Sequence, residues 1–475
     1  MKVTKMTRKW GGGKLSTFSV FAGSLMMCAS ALATATYTYE NDNKTYVATV
    51  TSAETAISAE AIAVLNSNAV TNFIKSGDKN LTVYSGGANA FTGDVMITNA
   101  AIVVGGSNPL GPSGKITVDN QRALVFSKAT VAKDVLLASG LTANGNWNEN
   151  TKISVWAGSS RLNGKFIIGK SYNSGCTGYD NSVMTFAGGV VDEDPDHGGY
   201  MYFKPSKGSA IVIENKPMDI VKQVFILPNT KDYPLSSDGF AGRFVFSVAG
   251  NKMMNLGYDN GTTDCRLNWC QLKTTVDWAF DTSRFGAIYF GHDSVWDLCG
   301  TSQRIGQLDV KVSTGNPSVI TNSSATPSTL YMKMPYGPNS SAPNIRIGGN
   351  LSVVFEKNIW ATKIDYPMTA TGDLIVKGDG GNQADLNFLS NGSWVNATNV
   401  VVEGNGKITI ANPNALGRKA NVSLKSNSSL SISSGVTVNV RTLTINGIQQ
   451  PRGDYTFGSG TLRVSRPCGL ILSVQ

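Results

Sequence analysis

The stretch Asn80-Leu81-Thr82-Val83-Tyr84-Ser85-Gly86-Gly87-Ala88-Asn89-Ala90-Phe91-Thr92-Gly93-Asp94-Val95-Met96-Ile97 holds two short runs of alternating side chains around a Gly- and Asn-rich turn. Leu81 and Val83 share one face, as do Val95 and Ile97, and the residues between them share the other, which is the pattern of half-buried strands. Moving outward, Ala101-Ile102-Val103-Val104, Lys115-Ile116-Thr117-Val118 and Ala123-Leu124-Val125-Phe126 follow as strands separated by turn residues. The rhythm returns near the other end in Asp373-Leu374-Ile375-Val376, Val400-Val401-Val402, Lys407-Ile408-Thr409-Ile410, Val422-Ser423-Leu424, Leu430-Ser431-Ile432, Val436-Thr437-Val438 and Thr442-Leu443-Thr444-Ile445. Strands there succeed one another about every six to ten residues, with Gly or Asn in many of the gaps.

Such runs fit two all-β arrangements, a globular sandwich or a parallel β-helix whose coils stack on one another. Regularity that is local in sequence and sustained over hundreds of residues favours the stacked coil, because it needs no long return connections. The fold expected is therefore all-β, a single-stranded right-handed parallel β-helix over residues 36–475. Its coils are clearest at 79–130 and 370–464, and the pattern is less regular at 146–278. Residues 52–68, with Ala56, Ile57, Ala61, Ile62, Ala63, Val64 and Leu65, are the one stretch with helical patterning, placed to form a small N-terminal capping helix. An internal repeat supports one continuous solenoid. Ile102-Val103-Val104-Gly105-Gly106-Ser107-Asn108-Pro109-Leu110-Gly111, then a strand, parallels Ile408-Thr409-Ile410-Ala411-Asn412-Pro413-Asn414-Ala415-Leu416-Gly417, then a strand.

At these residues the chain resembles the autotransporter-associated β-strand repeat proteins, a group of exported bacterial surface proteins. The pattern of strand, Gly-x-Asn, an aromatic before Thr-Gly and a further strand over residues 80–97 carries the resemblance. So do residues 296–308 leading to Val319-Ile320-Thr321-Asn322, and the tail from Leu443 through Leu462. The resemblance implies a parallel β-helical, pectin lyase-like passenger and supplies no catalytic residues, since the repeat has none. Only eleven residues follow Val464, too few for the amphipathic strands of a translocator barrel, so the expectation is a passenger without its translocator.

The chain has 475 residues, 51 of them Gly, with 15% charged residues, two His and a formal net charge of +9. Lys2, Lys5, Arg8, Lys9 and Lys14 precede the first acid, Glu40, and an apolar stretch runs from Leu15 to Leu32. Ala31-Leu32-Ala33 and Ala33-Thr34-Ala35 then offer signal-peptidase sites before Thr34 or Thr36, so residues 1–35 are expected to be a signal peptide. Ser16, Thr17, Ser19, Gly23, Ser24 and Ser30 dilute the apolar run as a membrane span, and Cys28 leaves a lipoprotein variant as a minor alternative. Five of the nine net positive charges fall in this leader, leaving four over the rest, so the basic balance does not point to nucleic acid. The expected location is the cell surface, the medium or the periplasm, with no integral span in the mature chain.

Candidate sites are few. Asp192, Glu193, Asp194 and Asp196, beside His197, are acids that could contact a carbohydrate or Ca²⁺, although an acidic run containing Pro and Gly reads first as a solvated loop. Cys265 and Cys270 are close enough in sequence to pair in an oxidising compartment, but five cysteines over so long a chain do not make a disulfide framework. Trp269, Trp278, Phe280, Phe285, Tyr289, Phe290 and Trp296 interleave with Asp277, Asp281, Asp293 and Asp297. Aromatic rings flanked by carboxylates can stack on sugars, but coil interiors are filled by the same residues, and core is the reading taken. No cofactor or metal is expected, and the partners expected are glycans or other surface proteins. A structural or adhesive role follows; the competing reading is a β-helical polysaccharide lyase or glycoside hydrolase that would use Asp192, Asp194 and Asp196.

Overall fold

The structure is a computed structural model that describes residues 6–9, 15–18, 35–40, 44–51, 55–58, 68–84, 91–119, 123–138, 151–169, 174–194, 196, 200–226, 242–257, 267, 269–291, 293–310, 317–333, 345–356, 362–379 and 383–465. Most of the expected leader lies outside these residues. The chain divides into two compact units, Met1–Met253 and Met254–Gln475. Both are built from short strands stacked in parallel, a β-solenoid amounting to about 13 turns, with no α-helix among the described residues.

In the first unit each coil contributes to up to three sheets. One sheet runs Asn72–Ser76, Asp94–Ile97, Lys115–Val118, Asp134–Leu137, Phe166–Ile168, Val190–Asp192 and Met218–Asp219, every neighbour parallel. A second runs from Leu81–Tyr84 through Ala101–Ser107, Ala123–Val131, Thr151–Ala157, Ser174–Gly178 and Met201–Lys204 to Val224–Ile226. The third begins on the latter half of Ala123–Val131 and continues through Ser159–Leu162, Val183–Phe186, Ala210–Ile213 and Gly242–Phe246. The stretch that reads as less regular in sequence thus forms coils wherever it is described. Because strand residues alternate faces, the registers stack Phe73, Val95, Ile116, Val135, Phe166, Val190 and Met218 into one buried column. Each such side chain contributes about 1.5–3 kcal/mol by leaving water. Phe166, Phe186, Phe203 and Phe244 continue the interior as a ring ladder with centroids 5.0, 5.9 and 4.7 Å apart.

The N-terminal end of this unit is covered by a hairpin rather than by the expected helix. Ala35–Glu40 pairs antiparallel with Thr45–Val50, which pairs parallel with Asn72–Ser76, and Tyr37, Tyr46 and Phe73 stack across the three strands. Within 52–68, Thr55–Ser58 is a strand parallel to Leu81–Tyr84, which corrects the helical expectation; 52–54 and 59–67 lie outside the described residues. The physical reason is that a neighbouring coil presents a row of backbone groups to this segment, and pairing with it satisfies them better than one short, marginal helix would.

In the second unit a seven-stranded parallel sheet runs Ser302–Ile305, Ser328–Lys333, Leu351–Glu356, Leu374–Lys377, Asn399–Glu403, Asn421–Leu424 and Thr442–Ile445. A second sheet runs Thr362–Ile364, Ala384–Phe388, Gly406–Ile410 and Ser429–Ile432, and a third Cys270–Thr274, Val295–Asp297, Ser318–Thr321 and Ile345–Ile347. Its C-terminal end is again closed by antiparallel pairs: Ile448–Gln449 folds back on Thr442–Ile445, and Gly453–Phe457 on Gly460–Val464.

The repeat seen in sequence marks one corner. The amide of Gly111 donates to the Asn108 carbonyl at 2.9 Å, and that of Ala415 to the Asn412 carbonyl at 3.0 Å, so each Asn-Pro opens a turn. Leu110 and Leu416 then enter the core. A Cβ on Gly111 would collide with the Phe91 carbonyl of the coil before it, and one on Gly417 with the Val395 carbonyl, so both glycines are required by close coil contact.

Candidate functional site

Inward pointing of Leu330, Val353, Leu374, Val400, Val422 and Leu443 turns the alternate residues of the seven-stranded sheet outward. Three outward columns result. The first is amide-rich and bonded from coil to coil: the Ser352 hydroxyl accepts from the Asp373 amide at 2.9 Å. Asn399 Nδ2 donates to Asp373 Oδ1 at 2.7 Å, Asn421 Nδ2 to Asn399 Oδ1 at 3.1 Å, and Thr442 Oγ1 to Asn421 Oδ1 at 3.0 Å. The last column alternates in sign. Glu356, Lys377, Glu403 and Lys425 occupy consecutive coils, with Lys377 Nζ 3.8 Å and Lys425 Nζ 2.6 Å from the two oxygens of Glu403. Alternation leaves the column close to neutral, and its lysines are exposed while Glu356 and Glu403 are half-buried, so solvent screens the pairs and they contribute little stability.

Between these columns lie Arg304, Tyr331, Val354, Ile375 and Val401 in register, with Arg304 exposed, Tyr331, Ile375 and Val401 half-buried and Val354 buried. The Arg304 guanidinium lies 4.7 Å from the Tyr331 ring centroid and reaches past it to Glu356 Oε1 at 3.1 Å. One coil earlier stands Trp278, 5.8 Å from Tyr331 and 5.9 Å from the same guanidinium, with 46% of its surface exposed.

Local structure holds Trp278 firmly. Its backbone has φ 54°, the left-handed region, which costs a bulky residue about 1–2 kcal/mol. The turn is braced from beneath by the fully buried Gln303: Nε2 donates to the Val276 carbonyl at 2.7 Å and to Thr301 Oγ1 at 2.8 Å, and Oε1 accepts from the Ala279 amide at 3.0 Å. Above it, the Trp278 amide donates to the Ser302 carbonyl at 2.9 Å and Asp277 Oδ1 accepts from the Ser302 amide at 2.6 Å. The result is an indole, a guanidinium and a phenol ring on three consecutive coils.

Of the other central aromatics, Phe280, Phe285, Phe290 and Trp296 are core, with Phe280 stacked on Phe285 at 4.4 Å. Trp269 and Tyr289 are half-buried. Among the interleaved acids, Asp297 is buried and structural: Oδ1 accepts from the Cys299 and Ser323 amides at 3.0 Å, Oδ2 accepts from the Ser323 hydroxyl at 2.7 Å, and Lys273 Nζ lies 3.9 Å away. Asp281 closes its own turn by accepting from the Ser283 amide at 2.9 Å.

Two acids of the acidic run hold main-chain amides. Asp192 ends its strand in register with Ile168 and its Oδ2 accepts from the Val221 amide of the next coil at 2.6 Å. Asp194 Oδ1 accepts from the Asp196 amide at 3.0 Å, and Glu193 is exposed. Among the described residues no cluster of three His, Cys, Asp or Glu side chains could hold a metal ion; Pro195 and His197 lie outside them. Cys270 is a buried free thiol, 3.8 Å from Ser294 Oγ, and burial pushes its pKa up to about 12; Cys265 lies outside the described residues.

Arg304, Tyr331 and Glu356 are the site residues that sequence reasoning missed. Coil length varies too much to align columns by counting: Asp94 and Lys115 meet across 21 residues, Asp134 and Lys165 across 31. No helix among the described residues is long and apolar enough to cross a membrane. No family model, no curated protein and no solved structure matches the chain.

Proposed function

We propose that this chain is an exported structural or adhesive solenoid, working at or beyond the cell surface through multivalent contacts with glycans or other surface proteins. The observation that carries the reading is the outward face of the seven-stranded sheet, where the same type of polar group recurs on coil after coil. Stacked strands lie about 4.8 Å apart, so this face offers a ladder of weak, evenly spaced contacts whose strength comes from number rather than from any one group. The leader pattern of residues 1–35 and the local resemblance to exported repeat proteins agree with it.

Two measurements test the reading. Fusion of residues 1–35 to a reporter active only outside the cytoplasm is expected to export it, with cleavage before Thr34 or Thr36 on N-terminal sequencing; retention inside the cell would remove the extracellular role. Binding of purified residues 36–475 to a glycan array and to isolated cell envelopes is expected to be weak for single ligands and strong for dense ones. Release of shortened or unsaturated sugar ends from a polysaccharide panel would instead favour the lyase or hydrolase alternative.

A further inference from the structure

We infer that Trp278, Arg304 and Tyr331 form a binding platform for an uncharged pyranose glycan. The inference rests on the adhesive reading above and gives it a ligand class and a place.

Three features of the cluster point this way. A half-exposed indole on a left-handed backbone is unfavourable twice over, in conformation and in hydration, yet the buried Gln303 brace and the Ser302 contacts hold it in place. Such expenditure goes beyond what core filling needs, since Phe280, Phe285 and Trp296 already fill that interior. Next, the surface is mixed: indole, guanidinium plane and phenol ring lie within 6 Å of one another on consecutive coils, the indole and phenol planes tilted by 44°. Flat aromatic faces accept the C–H side of a pyranose ring, while guanidinium, phenol and carboxylate edges take its hydroxyls. Finally, Glu356 cancels the charge of Arg304 at 3.1 Å, so the platform carries no net attraction for an anionic ligand. The adjoining Ser352, Asp373, Asn399 and Asn421 column continues along the coil axis in steps comparable to the advance of one sugar unit. An extended chain seated on Trp278 and Tyr331 can run along it.

Affinity electrophoresis of residues 36–475 in native gels containing hydroxyethylcellulose, xyloglucan or laminarin, all neutral, tests this directly. Retardation is expected in at least one gel. Trp278→Ala is expected to weaken it at least about tenfold, the effect of losing one stacked ring, and Arg304→Lys severalfold. Trp156→Ala removes an indole of similar exposure in the other unit and should change nothing. Trp278→Gly removes the ring while relieving the backbone, so it should hold or raise the melting temperature as it abolishes retardation. The inference falls if the chain migrates unretarded in all three gels, or if Trp278→Ala behaves as the parent does. A parent that is retarded but indifferent to Trp278 would leave glycan adhesion standing and remove only this site. A parent chain that neither binds cell envelopes nor is retarded in any gel would remove both.

Discussion

Two lysines sit inside the first unit with their ammonium groups held by main-chain oxygens. Lys75 Nζ donates to the carbonyls of Ser76, Gly77 and Asn99 at 2.7, 3.0 and 2.9 Å. Lys133 Nζ donates to those of Phe91 at 3.2 Å, Gly93 at 2.7 Å and Ser113, and lies 5.2 Å from the Phe91 ring centroid. Each ammonium thus ties turns of neighbouring coils that would otherwise bury carbonyls without donors. Burial lowers the Lys133 pKa from 10.5 to about 8, with nearby Asp94 opposing the shift. The unfolded chain therefore holds a proton that the folded chain releases between about pH 8 and pH 10.5, and stability from this group rises with pH across that window. In urea denaturation the parent is expected to gain on Lys133→Met by up to about 3 kcal/mol from pH 7.5 to pH 10.5; a constant difference would refute the shift. At pH 7 Lys133→Met should still destabilise by about 1–3 kcal/mol, because three carbonyls lose their donor. Glycines offer a cleaner comparison. Gly111 and Gly435 both have positive φ, 95° and 74°, but only Gly111 would press a Cβ against another coil. Gly435→Ala is expected to cost about 1 kcal/mol and Gly111→Ala several-fold more. Equal melting-temperature losses would show that φ alone dictates both glycines.

Single strands of four or five residues have little stability of their own, so an element here is held by its neighbours. The amide column makes that coupling measurable. Asn421 donates to Asn399 and accepts from Thr442, so Asn421→Ala should cost about 1–2 kcal/mol, and a double-mutant cycle with Asn399→Ala should return about 0.5–1 kcal/mol of coupling. Additive losses would mean that the ladder is incidental. Glu403→Gln, by contrast, weakens contacts to two exposed lysines from a half-buried position and is expected to change stability by less than about 1 kcal/mol, an effect that shrinks near 1 M salt. The terminal hairpins protect elements in a different way. Gly460–Val464 pairs parallel with Thr437–Val440, setting buried Leu462 and Val464 beside buried Val438 and Val440. Ending the chain before residue 443 leaves strand edges and apolar faces open, and such a variant is expected to aggregate or associate on size-exclusion chromatography.

At the scale of the whole molecule, composition sets what the surface attracts. Residues 1–35 hold five of the nine net positive charges, so residues 36–475 are close to neutral and should leave a heparin column below about 0.2 M salt. Later elution would revive an anionic partner. Much of the fold is legible in the residues themselves: Leu81–Tyr84, Lys115–Val118 and Thr442–Ile445 are strands where alternation places them, because a period of two depends only on neighbours along the chain. The helix expected across residues 52–68 is the instructive miss, since its Ala-rich pattern gives way at Thr55–Ser58 to a strand supplied with a partner by the next coil. At the candidate site, Trp278 could be noticed among the central aromatics but not told apart from Trp296, one exposed and the other buried, because that depends on which side of a coil each turn presents. Sequence alone thus determined the class of fold, many of its strands, the glycines of its turns and the concentration of five of its nine net charges before residue 36, all consequences of local chemistry and count. Only the tertiary structure decided which columns form, that hairpins close the ends, that Lys75 and Lys133 point inward, and that Trp278 meets Arg304 and Tyr331, because coil lengths that vary from turn to turn erase register from the linear chain.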